Sequence, residues 1–522
     1  MSHLVINAWF VDSYSLVQYS WGEYTRCYTE ANKVLKRPFT ERPRAQQPLQ
    51  PRVVAGPAQS AGQTGMMAAP RPVFYLTAAF VFVVYARFPE IVDIVTGHSL
   101  HSARIILVLA LLSALLFGGA VRAVFSGVGI CLLAFTAWLC ICTPFSIWRG
   151  GSVRMLRDFW LLSLCSFVIV AASVQGLEQC RKIMGSLAAA TVFIELFTFI
   201  IGRVQGGRVA LLAGTLGNAN YLAMMLLMGL PFCLFVVRTR PGAPLLKVVC
   251  VLMLFMIPVT VAATGSRGGL VTLVLMFLLY FLPLPANQKA VAAVAALILA
   301  AVAITWASRS ALERYKTIFL SSDQPHLSSS EQSALDSTGL RKELLWSSLQ
   351  LTLRHPLLGV GPGMFAEANA NYTAETSGGS TWNAWHETHN TFTQLSCEDG
   401  LPGLFLYCLA MLGCFRIVLV AGKRARQNFT EPLVQHMAFA LRLALVAFVG
   451  TSIFASNAYA YYFPILAGLC VALERAIPEQ APGLTLAGTQ PPGATAQTAR
   501  TAAAPRPKTA GGTRSLAWKR LP

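Results

Sequence analysis

The feature of this sequence that most restricts its fold is a succession of long, nearly uncharged apolar runs. The run at 245–263 covers roughly 28 Å as a helix, which is about the thickness of the hydrocarbon core of a bilayer. Only 12% of the residues are charged, about half the usual fraction in a soluble domain. The runs are continuous and do not alternate, which argues against a soluble enzyme, a disulfide scaffold, a coiled coil and an outer-membrane barrel. We therefore predict an all-α fold, a polytopic bundle of transmembrane helices.

The apolar runs predict about twelve transmembrane helices. Their expected positions are 73–95, 104–121, 123–143, 158–175, 183–201, 216–237, 245–263, 268–284, 288–306, 401–420, 437–456 and 459–474. With a cytoplasmic N-terminus, every cytoplasmic connection carries Lys or Arg, as the positive-inside rule requires. The net charge of +19 is therefore assigned to orientation in the membrane, and no nucleic-acid partner is expected.

Composition divides the chain into five segments. Residues 1–70 form an N-terminal extension that is either disordered or wrongly included in the coding sequence, and 71–306 contain transmembrane helices one to nine. A large polar loop domain follows at 307–400, then transmembrane helices ten to twelve at 401–476 and a disordered cytoplasmic tail at 477–522. Met66 and Met67 stand just before the first apolar run, which suggests that translation starts there. The loop domain is too long for a simple connection, and the pattern at 339–354 predicts a helix within it. The helix count places this domain on the outer face.

Several arginines occur on the predicted outer face, where the positive-inside rule does not require them. They are Arg203, Arg208, Arg267, Arg309, Arg314 and Arg341. Binding of an anion is the natural reason for such cations. For Arg309 and Arg314, at a helix end, we favour simple snorkelling to lipid headgroups.

Four short motifs lie on this same predicted face. They are Gly214-Thr-Leu-Gly-Asn-Ala-Asn220, Thr264-Gly-Ser-Arg-Gly-Gly269, the pair Arg341 and Trp346 followed by His355-Pro-Leu-Leu-Gly-Val-Gly-Pro-Gly363, and His389-Asn390 with Gly400-Leu-Pro-Gly403 nine residues later. Arg267 sits in a glycine-rich turn before a helix, an arrangement that suits a phosphate or, equally, a hairpin with a snorkelling arginine. Arg208 is the better candidate for a second anion ligand, with Arg203 as the alternative. Asn218 and Asn220 either cap the next helix or bind ligand.

His389 is the strongest candidate for chemistry. An imidazole with a pKa near 6.5 either accepts a proton from a hydroxyl at neutral pH or stabilises a leaving group in its cationic form. His386 and His389 are three residues apart, whereas zinc-binding HExxH motifs place their histidines four apart, so no metal or other cofactor is expected. Glu398 and Asp399 either orient His389 or an arginine, or are solvated loop carboxylates.

Together the four motifs resemble the O-antigen ligase and polymerase superfamily over roughly residues 200–410. The resemblance implies a GT-C-like fold in the bacterial inner membrane, with the loop domain in the periplasm. It also implies an inverting, metal-independent glycosyltransferase whose donor is a glycan on undecaprenyl diphosphate. His389 would be catalytic and would assist attack by the acceptor hydroxyl. The remaining implied site residues are Arg208, Arg267 and Arg341 on the diphosphate, with Asn390, Asn220, Gly400 and Gly403 in support.

The shared motifs leave the acceptor open. Lipid A core is our first choice, and the growing glycan of a polymerase or a protein hydroxyl are the alternatives. A polysaccharide transporter or flippase is the alternative of another class, since twelve helices are typical of transporters. Against it, the halves show no internal repeat and polar residues gather at one face, although Glu195 within helix five is an exception.

Overall fold

The computed structural model describes residues 71–97, 102–117, 119–211, 214–239, 244–317, 328–377, 385–427 and 432–477. The predicted extension at 1–70 and the tail after Ile477 lie outside these residues. The described chain is almost entirely helical, as predicted. The exception is an antiparallel hairpin of two short strands, β1 (Arg203–Gln205) and β2 (Arg208–Ala210).

The helices form three successive groups along the chain. The first group comprises α1 (Arg71–Tyr85), α2 (Phe88–Thr96), α3 (Ser102–Phe117), α4 (Ala120–Val124), α5 (Gly127–Cys142), α6 (Arg149–Met155), α7 (Leu161–Ser173) and α8 (Leu177–Ile201). The second comprises α9 (Ala219–Thr239), α10 (Pro244–Ala263), α11 (Arg267–Phe281), α12 (Ala286–Trp306) and α13 (Arg309–Lys316). The third comprises α14 (Ser329–Arg354), α15 (Phe365–Ser377), α16 (Thr391–Glu398), α17 (Gly400–Gln427), α18 (Pro432–Ser452) and α19 (Tyr462–Ala476).

Each of the twelve predicted segments coincides with helical structure. Within the described residues, eight helical segments are long and apolar enough to cross a membrane, and α1, α3 and α11 are shorter apolar helices. The chain is therefore a multi-pass helical membrane protein, while the count of twelve spans stays a prediction. The predicted helix at 73–95 is wrong in one respect, because Arg87 adopts a left-handed backbone with φ of 52° and separates α1 from α2.

Burial distinguishes the centre of the bundle from its lipid-facing rim. From Tyr462 to Leu473, α19 is buried along its whole surface, and it packs against α7. By contrast α12 has no buried residue, and Leu297 is 71% exposed. A helix so apolar and so exposed requires lipid around it. Glu195 on α8 accepts a hydrogen bond from Thr260 on α10, so this carboxyl joins two helices.

The described part of the loop domain contains one long helix, α14, and three shorter ones, α13, α15 and α16. Helix α14 begins at Ser329, ten residues before the predicted start at 339, because Ser328 and Glu331 form a capping box. Its buried residues Leu344 and Leu351 pack with Phe365 of α15 and Cys397 of α16. Helix α16 leads directly into α17, so the loop domain is continuous with the bundle.

Candidate functional site

Segments far apart in the sequence meet at one end of the bundle. The β-hairpin contacts the start of the loop domain, where Oγ of Ser310 donates a hydrogen bond to the carbonyl oxygen of Gly206 over 3.0 Å. It also contacts the turn before α11, since Nε of Arg208 donates to the carbonyl oxygen of Thr264 over 2.9 Å. The segments that carry the predicted site are therefore neighbours, while the side of the membrane on which they lie stays a prediction.

Arg208 is held from two sides. Besides the bond from Nε to Thr264, its Nη2 donates to Oδ1 of Asn220 over 2.9 Å. Oδ1 of Asn218 accepts from the backbone N–H of Asn220 over 2.9 Å, so Asn218 organises the start of α9. Asn220 thus positions the guanidinium of Arg208. Among the described residues, Arg208 donates no other hydrogen bond, so its remaining N–H groups can bind an anion.

Arg267 is the first residue of α11. Ser266 caps this helix, since its Oγ accepts a hydrogen bond from the backbone N–H of Gly269 over 3.2 Å. Nη1 of Arg267 donates to Oγ1 of Thr317 over 3.2 Å, and Nη2 donates to the carbonyl oxygen of Ala334 over 3.1 Å. Arg267 therefore reaches into the loop domain and does not snorkel to lipid.

The prediction that Arg314 snorkels to lipid headgroups is wrong. Its side chain is buried, with only 8% of the residue exposed, and its Nε has no hydrogen-bond partner among the described residues. It lies on α13 beneath the turn at Gly265, which its Cδ approaches. The sequence could not reveal this, because α13 folds back over the bundle only in three dimensions. Arg309, on the same helix, is exposed, as expected.

Arg208, Arg267, Arg314 and Arg341 form one cluster, and we call it the arginine cluster. Within the described part of the chain, none of the four forms an ion pair with a carboxylate. Burial and, to a smaller extent, repulsion from the other three guanidiniums lower the pKa of Arg208 to about 10. Burial and Arg314 likewise lower the pKa of Arg341. An anion that binds among them removes this repulsion.

His389 lies beside the arginine cluster. It lines a cavity of about 510 Å³ together with Arg208 and Arg341, and a second cavity of about 430 Å³ together with Arg267 and Arg341. Its backbone is left-handed, with φ of 51°, and its N–H donates to Oγ of Ser456 over 2.9 Å. A strained backbone at a non-glycine residue is typical of functional positions.

The pKa of His389 is lower than the ordinary value of an imidazole. Burial, the guanidinium of Arg341 and the neighbouring His386 lower the pKa of its imidazole from 6.5 to about 4. In the protein without donor the imidazole is therefore neutral at pH 7. Of the two predicted roles, proton acceptance agrees with this state, whereas a cationic imidazole requires an anion beside it.

Asn390 caps the N-terminus of helix α16. Its Oδ1 accepts hydrogen bonds from the backbone N–H groups of Phe392 and Thr393, over 2.9 and 3.2 Å, and so caps α16. The cap fixes the start of the helix directly after His389. Asn390 therefore supports the imidazole through the backbone.

Gly400 and Gly403, the two predicted supporting glycines, lie where the start of α17 packs closely against neighbouring segments. Gly400 has φ of 70°, and a Cβ there would lie 1.9 Å from the carbonyl oxygen of Leu357. At Gly403, a Cβ would lie 2.5 Å from Cβ of Asp399 and 3.4 Å from Cδ1 of Trp138. These residues are thus required for close packing next to the site.

Glu398 and Asp399 are not solvated loop carboxylates, which corrects one of the two alternatives. Both are buried, and the single O–H of Tyr459 is shared between them, with its oxygen 2.7 Å from Oε2 of Glu398 and 2.9 Å from the nearer oxygen of Asp399. Glu398 also accepts from the backbone N–H groups of Gly363 and Phe365, each over 3.1 Å. These contacts hold the glycine-rich segment in place. No hydrogen bond joins either carboxylate to His389 within the described residues.

A third cavity, of about 690 Å³, adjoins the segment that carries His389. Thr388 lines both this cavity and the second one. Its lining includes the carboxylates of Glu367, Glu387 and Glu398. The hydroxyl of Tyr221 donates to Oε2 of Glu387 over 3.2 Å, and burial raises the pKa of Glu387. Sequence reasoning did not assign Glu387 a role, because a lone Glu between two histidines suggested only a metal site.

Comparison with known proteins agrees with the motifs. No curated protein matches the chain. The family described as O-Antigen ligase matches residues 249–408, which include Arg267, Arg341 and His389 but begin after the hairpin that carries Arg208. This match agrees with the resemblance carried by the second, third and fourth motifs, whereas the first motif, at 214–220, lies before the matched residues.

Proposed function

We propose that this protein transfers a glycan from undecaprenyl diphosphate to an acceptor hydroxyl at the periplasmic face of the bacterial inner membrane. The observation that carries the proposal is the arginine cluster: three of its four arginines, Arg208, Arg267 and Arg341, line two cavities, and none of the four has a carboxylate partner among the described residues. Two of them, Arg208 and Arg267, are fixed by hydrogen bonds to the protein. Arginines without carboxylate partners suit a diphosphate, because each guanidinium can bind phosphate oxygens in bidentate fashion.

The chemistry follows from the placement of His389 at the edge of the arginine cluster. The acceptor oxygen forms a bond to the anomeric carbon of the donor sugar, and the bond from that carbon to the diphosphate oxygen breaks. The acceptor proton passes to the neutral imidazole of His389. The diphosphate leaves with an additional negative charge, which the arginines stabilise more strongly than they stabilise the donor. The acceptor attacks the face of the anomeric carbon opposite to the departing diphosphate, and the configuration at that carbon is therefore inverted.

The acceptor would enter from the third cavity. Its carboxylates and tyrosines are typical hydrogen-bonding partners for sugar hydroxyls, and Thr388, which directly precedes His389, is part of its lining. Lipid A core is the acceptor that we favour. A growing glycan or a protein hydroxyl would use the same chemistry.

Arginine substitutions in proteoliposomes test the proposal. Arg208→Ala and Arg267→Ala should each nearly abolish transfer from a lipid-linked donor, and Arg267→Lys should also be poor because an ammonium cannot make bidentate contacts. Arg309→Ala, an exposed arginine at the edge of the same region, is the matched control and should retain activity. Wild-type turnover in both Ala variants would refute the diphosphate site, and glycan translocation without transfer would favour a flippase.

A further inference from the structure

A second group of arginines lies at the opposite end of the bundle. Arg238, Arg426 and Arg442 line a cavity of about 260 Å³ together with His436. Arg238 is next to the last residue of α9, whereas Asn220, near the first residue, lines a cavity of the candidate active site. Because α9 has 21 residues and is about 31 Å long, Arg238 and Asn220 are separated along it by roughly the hydrocarbon thickness of a bilayer.

The cations of this cavity are fixed in place but not neutralised. The guanidinium of Arg238 lies 5.2 Å from the ring centroid of Tyr280 and 5.5 Å from that of Phe439, and the guanidinium of Arg442 lies 5.2 Å from Phe439. Nε of Arg442 is buried and has no hydrogen-bond partner among the described residues. None of the described lining residues is a carboxylate. The cavity therefore has the charge and the donors of an anion site.

An apolar cavity of about 220 Å³ adjoins the basic one. Tyr280 lines both cavities, and the apolar cavity continues along α9 at Leu234, one turn from Arg238, and along α18 at Leu443, next to Arg442. Apart from Tyr280 its described lining is entirely apolar and comes from five helices. A ligand that fits both cavities has an anionic end at the membrane surface and a hydrocarbon chain.

Two helix-interior prolines account for the apolar cavity. Pro231 lies within α9 and Pro258 within α10, and both line it. Proline lacks a backbone N–H and its ring displaces the preceding turn, so neighbouring helices cannot close tightly at that level. The gap is thus built into the sequence at the depth of an acyl chain.

We propose that the paired cavities bind an anionic phospholipid. Its phosphate would lie against Arg238 and Arg442, and one acyl chain would occupy the apolar cavity beside Tyr280. On the predicted topology this site is in the cytoplasmic leaflet, where basic pockets between helices commonly bind acidic headgroups. A free phosphate shares the headgroup chemistry but leaves the apolar cavity unused.

Lipid retention by the full chain in nanodiscs tests the proposal. Native mass spectrometry should show preferential retention of phosphatidylglycerol over phosphatidylcholine, and Arg238→Ala and Arg442→Ala should each weaken that retention about fivefold. Leu299→Trp, which fills the apolar cavity from the lipid-exposed helix α12, should weaken it without removing a charge. Arg424→Ala is the matched control, because Arg424 is exposed at the same end of α17 and lies outside the cavity lining.

Further measurements distinguish the possible ligands. Thermal unfolding in phosphatidylcholine nanodiscs shows whether each variant is folded, and only folded variants are compared. Equal retention of the two lipids, or equal losses in Arg424→Ala and Arg442→Ala, would overturn the proposal. So would stabilisation of the detergent-solubilised protein by inorganic phosphate equal to that by phosphatidylglycerol.

Discussion

Nη2 of Arg208 donates a hydrogen bond to Oδ1 of Asn220 over 2.9 Å, which joins the strand β2 to the start of α9. The contact explains why a hairpin arginine and an asparagine of a separate motif act together. Both lie before residue 249, outside the match to the O-Antigen ligase family, so the structure extends the candidate site beyond the matched domain.

We predict that Asn220→Ala reduces glycan transfer about tenfold to a hundredfold, because a hydrogen bond to a charged group contributes about 1.5–3 kcal/mol. Asn220→Asp should be worse than Asn220→Ala, since a carboxylate there would pair with Arg208 and neutralise it. Steady-state transfer assays at varied donor concentration measure both effects. Gln205→Ala is the control, because Gln205 is exposed and lines the same cavity. An Asp variant more active than the Ala variant would contradict an anion-binding role for Arg208.

Arg314 should favour donor binding at the expense of the stability of the free protein. Its guanidinium is buried among other cations, so Arg314→Met should raise the unfolding temperature without donor. The same variant should bind donor about tenfold more weakly, which corresponds to about 1.4 kcal/mol. Thermal unfolding with and without lipid-linked donor measures both. Lys316→Met, at an exposed position of the same helix, should change neither, and a lower unfolding temperature in Arg314→Met would show that the arginine is structural.

The apolar runs of the sequence were sufficient to predict where the helices lie, but not where each helix ends or which charged residues are buried. Every predicted span coincides with helical structure because apolar runs of this length have few other folds. The break at Arg87 was missed because its side chain is held by a tertiary contact, a hydrogen bond to the hydroxyl of Tyr462, in addition to the local ion pair with Glu90. Arg314 was misjudged for the same reason. Composition alone cannot tell whether a terminal arginine faces lipid or folds beneath a loop.

The pH dependence of transfer should report the unusual pKa of His389. For kcat/KM, which reflects the free enzyme, protonation of this imidazole should reduce activity only as the pH falls towards 4, and not near 6.5. Arg341→Gln removes one cause of the low pKa, so the acidic limb should move to higher pH even though total activity falls. Profiles are best recorded in the Glu387→Gln background, because burial raises the pKa of Glu387 as well. An unmoved limb in Arg341→Gln would show that His389 is not the titrating group.

The last prediction concerns Gly400, where packing and backbone both require glycine. Gly400→Ala places a Cβ 1.9 Å from the carbonyl oxygen of Leu357 at a position with φ of 70°. The contact cannot be relieved by a side-chain rotation, because the atom it meets belongs to the backbone. Leu401 also donates its N–H to the carbonyl oxygen of Pro356 over 2.8 Å, so the two segments cannot separate without loss of that bond. We expect a large fall in the unfolding temperature and loss of transfer.

Gly339→Ala is the matched control for this substitution. Gly339 lies within α14, and a Cβ there would meet nothing within 4 Å. Alanine at such a helical position is expected to stabilise by about 0.5–1 kcal/mol, so this variant should unfold at the same temperature as the wild type or higher and should retain transfer. Both variants are measured in the same detergent by thermal unfolding and in proteoliposomes by transfer. If Gly400→Ala were as stable as Gly339→Ala but inactive, the effect would lie in the position of His389 and not in the packing of α17. If both were stable and active, the close contact between Gly400 and the 356–357 turn would not be required for folding or for catalysis.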